Sequence, residues 1–269
     1  MTKTPVAVLK LGGELLTEER TRRQVSRAMG RLAASSALVV VHGGGRDVDT
    51  DLAARGISTH AVDGLRVTDA ATLEVVVGML AGRVNTQLVA SARCEGVHAV
   101  GLTATDTDVT TATRNPPYEA TDGTVVDLGF VGQPIDTGPP TLLVHLTNTG
   151  FVPIVASIGA DDTGQLLNIN ADTLAGHLAS CLQATRLLIA GGTPGVLDKD
   201  GQTIPSIDEP SLAQLIDDGS ATAGMVAKLV ACRNAGLRGV QRIDIVDGTQ
   251  TDDFESSAGT HIKVSVQRG

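Results

Sequence analysis

Only five of the 21 basic residues are lysine, and two of these, Lys10 and Lys228, sit in short glycine-bearing stretches. One is Val8-Leu9-Lys10-Leu11-Gly12-Gly13 and the other Ala223-Gly224-Met225-Val226-Ala227-Lys228. Between them lie His42-Gly43-Gly44-Gly45 and Asn168-Ile169-Asn170-Ala171-Asp172, the latter ending in a carboxylate that could hold two lysines in place. Ammonium groups neutralise charge on a transferring phosphoryl group, and glycine lets phosphate oxygens reach backbone N–H groups that a Cβ would screen. These residue types at these places are the parts of a phosphoryl-transfer site.

Gly12 and Gly13 end an apolar run, as a strand would before opening a helix, where free N–H groups and the helix dipole favour phosphate. Gly43, Gly44 and Gly45 repeat the arrangement after a second run. Neither cluster has the spacing GxxxxGK[ST] or completes GxGxxG, which disfavours the two commonest nucleotide-binding loops. Within Asp63-Gly64-Leu65-Arg66-Val67-Thr68-Asp69 the spacing puts Arg66 in a turn, able to clamp a carboxylate through two parallel hydrogen bonds. Asn168 and Asn170 flank an isoleucine, so on an extended segment they face one side and can meet one polar ligand. Asp172 opens an expected helix over 171–182, where capping is the alternative to holding lysines.

Short apolar runs alternate with longer amphipathic stretches, the pattern of strands joined by crossover helices in a mainly parallel sheet. Strands are expected at Val6–Leu11, Leu38–His42, Ala99–Leu102, Val152–Ser157, Arg186–Ala190 and Arg242–Val246. Helices are expected at about 20–34 and 69–94, the second capped by Thr68 or Asp69. The Pro- and Gly-rich stretch 114–140 lacks helical period and reads as hairpins and turns. Asp198-Lys199-Asp200-Gly201 opens like a calcium loop, but no glutamate follows at the required distance, so a plain turn is expected.

Composition bounds the rest. With 1% aromatic and 42% hydrophobic residues over 269 positions, the core must be aliphatic. A net charge of −9 excludes a nonspecific nucleic-acid partner, which needs a basic face. Cys94, Cys181 and Cys232 form no CxxC pair, which suits reduced thiols and no zinc site. No signal sequence or roughly 20-residue apolar run is evident, so a cytoplasmic protein without a membrane partner is expected.

The motifs, in order and spacing, resemble those of the amino acid kinase family and within it the acetylglutamate kinases. The resemblance runs through Lys10-Leu11-Gly12-Gly13, His42 to Gly45, Asp63 to Asp69, Gly82-Arg83-Val84-Asn85, Asp127 to Gly132, Gly150 to Pro153, Asn168 to Asp172, Pro194 to Leu197 and Gly224 to Lys228. It implies a three-layer αβα sandwich of two lobes, 1–183 for the amino-acid substrate and dimerisation and 184–269 for ATP. The implied reaction is ATP-dependent, with Mg²⁺, on the γ-carboxylate of N-acetyl-L-glutamate, in arginine biosynthesis. By motif, Lys10 and Lys228 would neutralise the phosphoryl group, Asp172 orient both, Gly13, Gly44 and Gly45 supply amides, and Arg66 with Asn168 hold the α-carboxylate. A carboxylate nucleophile is already ionised at pH 7 and needs no general base, so no histidine is assigned a role. A carrier-protein-linked aminoadipate or glutamate kinase, and a non-catalytic amino-acid or nucleotide sensor, are the competing expectations.

Three departures from the family pattern stand out: Gly191-Gly192 where a carboxylate-bearing pair is usual near the nucleotide, Gly101 to Asp106 in place of a glycine-rich loop, and Ala223 for a glycine. Arginine-inhibited relatives carry an additional N-terminal helix that interlaces dimers into hexamers. Only nine residues precede Lys10, so the expectation is a homodimer insensitive to arginine.

Overall fold

The computed structural model describes residues 4–120, 123–217 and 222–264. Its centre is an eight-stranded sheet: β1 (Val6–Leu11), β2 (Ala37–His42), β3 (Ala99–Thr103), β4 (Val152–Ala156), β5 (Arg186–Gly191), β6 (Ser206–Asp208), β7 (Arg242–Asp247) and β8 (Gly259–Lys263), in the order β6-β8-β7-β5-β1-β2-β4-β3. All pairings are parallel except β7 with β8. The six expected strands are present; the short edge pair β6 and β8 carries too little pattern to be read from sequence.

Side chains alternate across a strand, and here each parity feeds its own core. Val8, Val39, Val41, Leu187 and Ile189 pack with Leu174 and Leu178 of helix Ala171–Cys181 and Leu229 of helix Ala223–Leu237. Ala7, Leu9, Leu11, Val40 and Leu188 pack instead with Val25, Met29 and Leu32 of helix Glu19–Ser35 and with Leu88 and Ala92. Two helical layers therefore sandwich the sheet, as expected. The same alternation puts Lys10 on the layer of helix Ala171–Cys181, and His42 and Arg186 on the other.

Segments 111–114 and 131–135 join 158–160 and 166–169 in a second, four-stranded sheet rather than isolated hairpins alone, in the order Ile158–Ala160, Leu166–Ile169, Val131–Ile135, Thr111–Arg114. The long helix Ala70–Cys94 is capped by Asp69, whose carboxylate accepts Thr72 N–H at 2.8 Å. It is not uniformly α: Gly78–Val84 is a π segment. Contrary to the reading of no membrane-length stretch, this helix is long and apolar enough to meet that length and composition, yet Leu73, Val76, Leu80, Val84 and Leu88 are buried in the protein's own core. The three cysteines are free thiols, with Cys232 and Cys181 pushed above their ordinary pKa by burial.

Candidate active site

Lys10 ends β1 one residue before the strand stops, on the face covered by helix Ala171–Cys181, and its ammonium lies 2.9 Å from Asp172 Oδ1. Both side chains are under a tenth exposed. The pair is ionic without an aligned hydrogen bond to Oδ1. Capping falls to Asn170, whose Oδ1 accepts the N–H groups of Asp172 and Thr173 at 2.9 and 3.1 Å. That settles the alternative left open by sequence: Asn170 holds the helix end, and Asp172, in the first turn, keeps its carboxylate for Lys10.

The pair forms one wall of a cavity of about 250 Å³ also lined by Gly13, Gly44, Gly45, Arg66, Ser157, Asn168 and Asn170. The two glycine turns meet backbone to backbone, since a Cβ on Gly13 would stand 2.7 Å from Gly44 Cα and 2.8 Å from Gly45 N. The N–H groups of Gly13, Gly44 and Gly45 donate to no other described residue. Gly45 does open an α-helix, Gly45–Ala54. After Gly12-Gly13, however, comes only the single 3₁₀ turn Gly13–Leu15, and Gly12 N–H is taken by Ala190 O at 2.9 Å. The expected dipole site at Gly12 is therefore not formed, and Gly12 does not line the cavity.

Arg66 stands in the two-residue strand Leu65–Arg66 rather than a bare turn, and pairs with Asp49 at 2.6 Å. Its loop is stitched to the second sheet at Gly129, whose φ of +73° suits glycine and where a Cβ would overlap Thr68 O. Phe130 N–H donates to Thr68 O at 2.7 Å, Asn168 N–H to Phe130 O at 2.8 Å, and Asn168 Nδ2 to Thr68 Oγ1 at 3.2 Å. Arg66 and Asn168 are thus held on one framework.

Residues 5–247 match the model of the amino acid kinase family. The chain belongs to this family. Similar proteins include the acetylglutamate kinase of Rhodopseudomonas palustris (strain BisA53), 40% identical over 248 residues that cover 90% of this chain and 82% of that protein. That of Oleidesulfovibrio alaskensis (strain ATCC BAA-1058 / DSM 17464 / G20) is 39% identical over 246 residues, covering 90% and 83%. Among solved structures, a protein of Streptococcus mutans UA159 aligns with a TM-score of 0.81 at 26% identity over 98% of this chain and all of that one. N-acetylglutamate synthase from Neisseria gonorrhoeae, complexed with coenzyme A and N-acetyl-glutamate, gives 0.82 at 24% identity; this chain is 98% covered but spans only 60% of that longer protein.

In this amino acid kinase Lys228 lies apart from the cavity. It stands on helix Ala223–Leu237, its Nζ donating to Gly224 O at 3.2 Å, one turn back. A Cβ on Gly191 would come within 3.8 Å of Lys228 Cε, so the lysine lies beside the Gly191-Gly192 turn at the end of β5. The same helix start, with Thr222 and Met225, borders a second cavity of about 600 Å³ walled by Val196, Leu197, Ile204, Ile207 and Leu215. Val196, Leu197 and Met225 fall in motifs already quoted, whereas Ile204, Ile207 and Leu215, scattered aliphatics among turn residues, were missed. Sequence reading also missed Glu14, whose Oε1 accepts Gly192 N–H at 2.9 Å from 178 positions away.

Proposed function

We propose that this kinase transfers the γ-phosphoryl group of ATP to the γ-carboxylate of N-acetyl-L-glutamate, a step of arginine biosynthesis. One observation carries the reading: a buried Lys10–Asp172 pair shares a cavity with three unbonded glycine amides and Arg66. Anions need such cations and amides, and an ionised carboxylate nucleophile needs little else. The acetylglutamate kinase names of the relatives agree with it.

In this reading the amides of Gly13, Gly44 and Gly45 receive phosphoryl and carboxylate oxygens, Lys10 neutralises the charge that develops, and Asp172 orients Lys10. Gly12 acts only by leaving room for the Glu14 carboxylate, which a Cβ there would overlap. Arg66 and Asn168 hold the α-carboxylate, which requires Arg66 to exchange Asp49 for substrate. The adenine ring would enter the aliphatic cavity at Val196 and Ile207, with the triphosphate running past Gly191 and the start of helix Ala223–Leu237. Lys228 would then leave Gly224 O and swing to the phosphates, completing the pair of lysines. Among the described residues no three His, Cys, Asp or Glu side chains group to hold a metal, so Mg²⁺ would be held by the triphosphate, where it supplies charge neutralisation.

Residues 1–183 would form the substrate lobe and 184–269 the nucleotide lobe, in a cytoplasmic homodimer. The outer edge strand β3 has a free side, and Phe151, 41% exposed, stands against His98 beside it, which suits an isologous contact between two copies. A coupled ATPase assay run separately with N-acetyl-L-glutamate, glutamate and aminoadipate, with the acyl phosphate trapped as a hydroxamate, tests the substrate. Turnover with the acetylated amino acid alone is expected, and none with any of the three would overturn the reading. Light scattering should give the mass of two chains.

A further inference from the structure

We propose that His42 and Asn85 form a neutral hydrogen-bonded pair that aims the Gly44 amide into the cavity, making His42 a positioning residue. The proposal rests on the phosphoryl-transfer reading of that cavity. His42 is fully buried at the end of β2, on the sheet face opposite Lys10, and Asn85 is 5% exposed. Asn85 Nδ2 lies 2.9 Å from Ile154 O, 3.0 Å from His42 Nε2 and 3.4 Å from Leu102 O. Carbonyls only accept, so this atom is the amide nitrogen, and since an amide nitrogen accepts nothing, its contact with Nε2, shorter than that with Leu102 O, makes Nε2 the acceptor. The ring proton is therefore on Nδ1, which donates to Gly43 O at 3.0 Å. Burial agrees with the neutral form, pushing the His42 pKa down to about 4.

The consequence follows from peptide geometry. The Gly43–Gly44 peptide is planar and trans, so its C=O and N–H point in opposite directions. With Gly43 O turned back onto the imidazole, Gly44 N–H must point away from His42. Gly44, at φ −178° and ψ 33°, carries no side chain to fix this orientation by itself. The long helix supplies a second restraint at the same place: a Cβ on Gly44 would stand 2.6 Å from Leu80 Cδ2 and 3.4 Å from Val84 Cγ2, both in the π segment immediately before Asn85. One stretch of helix thus packs on the glycine turn and, through Asn85 and His42, holds its carbonyl.

Two near-isosteric variants separate the contacts. His42→Asn keeps an N–H donor near the Nδ1 position and loses the Nε2 acceptor; His42→Gln keeps an acceptor near Nε2 and loses the donor to Gly43 O. Glutamine is expected to lower kcat by about 10- to 100-fold, as a misaimed oxyanion donor does, with nucleotide KM within about threefold, whereas asparagine restores kcat to within about fivefold of the parent. Equal kcat in the two variants, or a loss confined to KM, overturns the proposal. Should neither variant fold, ¹⁵N spectra of the parent decide the same point: Nδ1 protonated and Nε2 bare from pH 6 to 8, with the Gly44 amide shifting on titration with inorganic phosphate, is expected. An imidazolium, an Nε2-H ring, or a Gly44 amide blind to phosphate would refute it. A parent enzyme inactive on every substrate would instead sink the phosphoryl-transfer reading and leave the ring-proton result standing on its own.

Discussion

Two buried ion pairs stand on adjacent strands of one sheet and face opposite layers. Lys10–Asp172 lies at the carboxyl end of β1, and Arg186–Asp244 near the start of β5, where Ala7 is the partner of Arg186. Their exposures are alike, at or below a tenth. Their surroundings are not. Asp244 receives Arg186 Nε and Nη2 at 3.0 Å, Arg242 Nε at 2.8 Å and His261 Nδ1 at 3.0 Å, while Arg186 also reaches Phe254 O and Glu255. Among the described residues the Asp172 carboxylate and the Lys10 ammonium pair only with each other. A saturated pair locks β5, β7 and β8 together; an unsaturated one beside three free amides has capacity left for a ligand.

The largest expected effect lies in the saturated pair. Asp244→Ala leaves Arg186 buried without its main partner and should cost about 3–5 kcal/mol in urea unfolding, while kcat of the protein that remains folded stays within about twofold. A fall in kcat at unchanged stability would erase the contrast.

The unsaturated pair should behave in the opposite sense. Replacing both members with apolar groups, Lys10→Met with Asp172→Leu, removes two desolvated charges and should leave stability unchanged or higher. Turnover should fall on the order of 10²-fold or more, the usual loss when a preorganised charge is removed. Denaturant midpoints and kcat on the same preparations check both halves, and near-normal turnover would take Lys10 out of the mechanism.

Acid distinguishes a third buried group. His42 titrates near 4 when folded and near 6.5 when unfolded. Above pH 6.5 both states are neutral and the histidine has no effect on the pH slope. As pH falls from 6.5 towards 4 only the unfolded chain takes the proton, so stability drops, by up to roughly 3 kcal/mol. Unfolding at pH 7.5 and 5.0 should show a larger loss for the parent than for His42→Gln; equal losses would mean that the folded imidazole is free to protonate.

One side of this contrast, the Lys10–Asp172 site, was legible in sequence, while the Arg186–Asp244 pair was not, for reasons of range. Lys10, Asp172 and the glycine turns lie where apolar runs stop, so strand parity and helix starts locate them from local pattern alone. Arg66 and Asn168 were found by residue type, though not the Gly129 crossing that joins their loops. Asp172 was ambiguous because a helix start offers a capping role to any nearby Asx residue, and only coordinates assign it to Asn170. His42 looked inert because its partner, Asn85, is 43 positions away. The length of the 3₁₀ turn after Gly13 and the π segment at Gly78–Val84 are set by tertiary packing, and no periodicity announces them.

Glu14 is the smallest and most discriminating test. Sequence shows a glycine pair, Gly191-Gly192, where a carboxylate is usual near the nucleotide, and the fold brings a carboxylate there from the first strand's turn. Its Oε1 occupies Gly192 N–H, a donor that a phosphate oxygen could otherwise take, and places a negative charge beside Lys228 and the path proposed for the triphosphate. Glu14→Gln keeps a hydrogen-bond acceptor and removes the charge. Relief of repulsion at a partly exposed site is worth about 1 kcal/mol, so KM for ATP should fall about fivefold with kcat within about threefold. A rise in KM of that size would give the opposite answer, that the Glu14 charge holds the Gly192 turn in the form the nucleotide needs. Initial rates across a range of ATP at fixed, saturating amino acid separate the two.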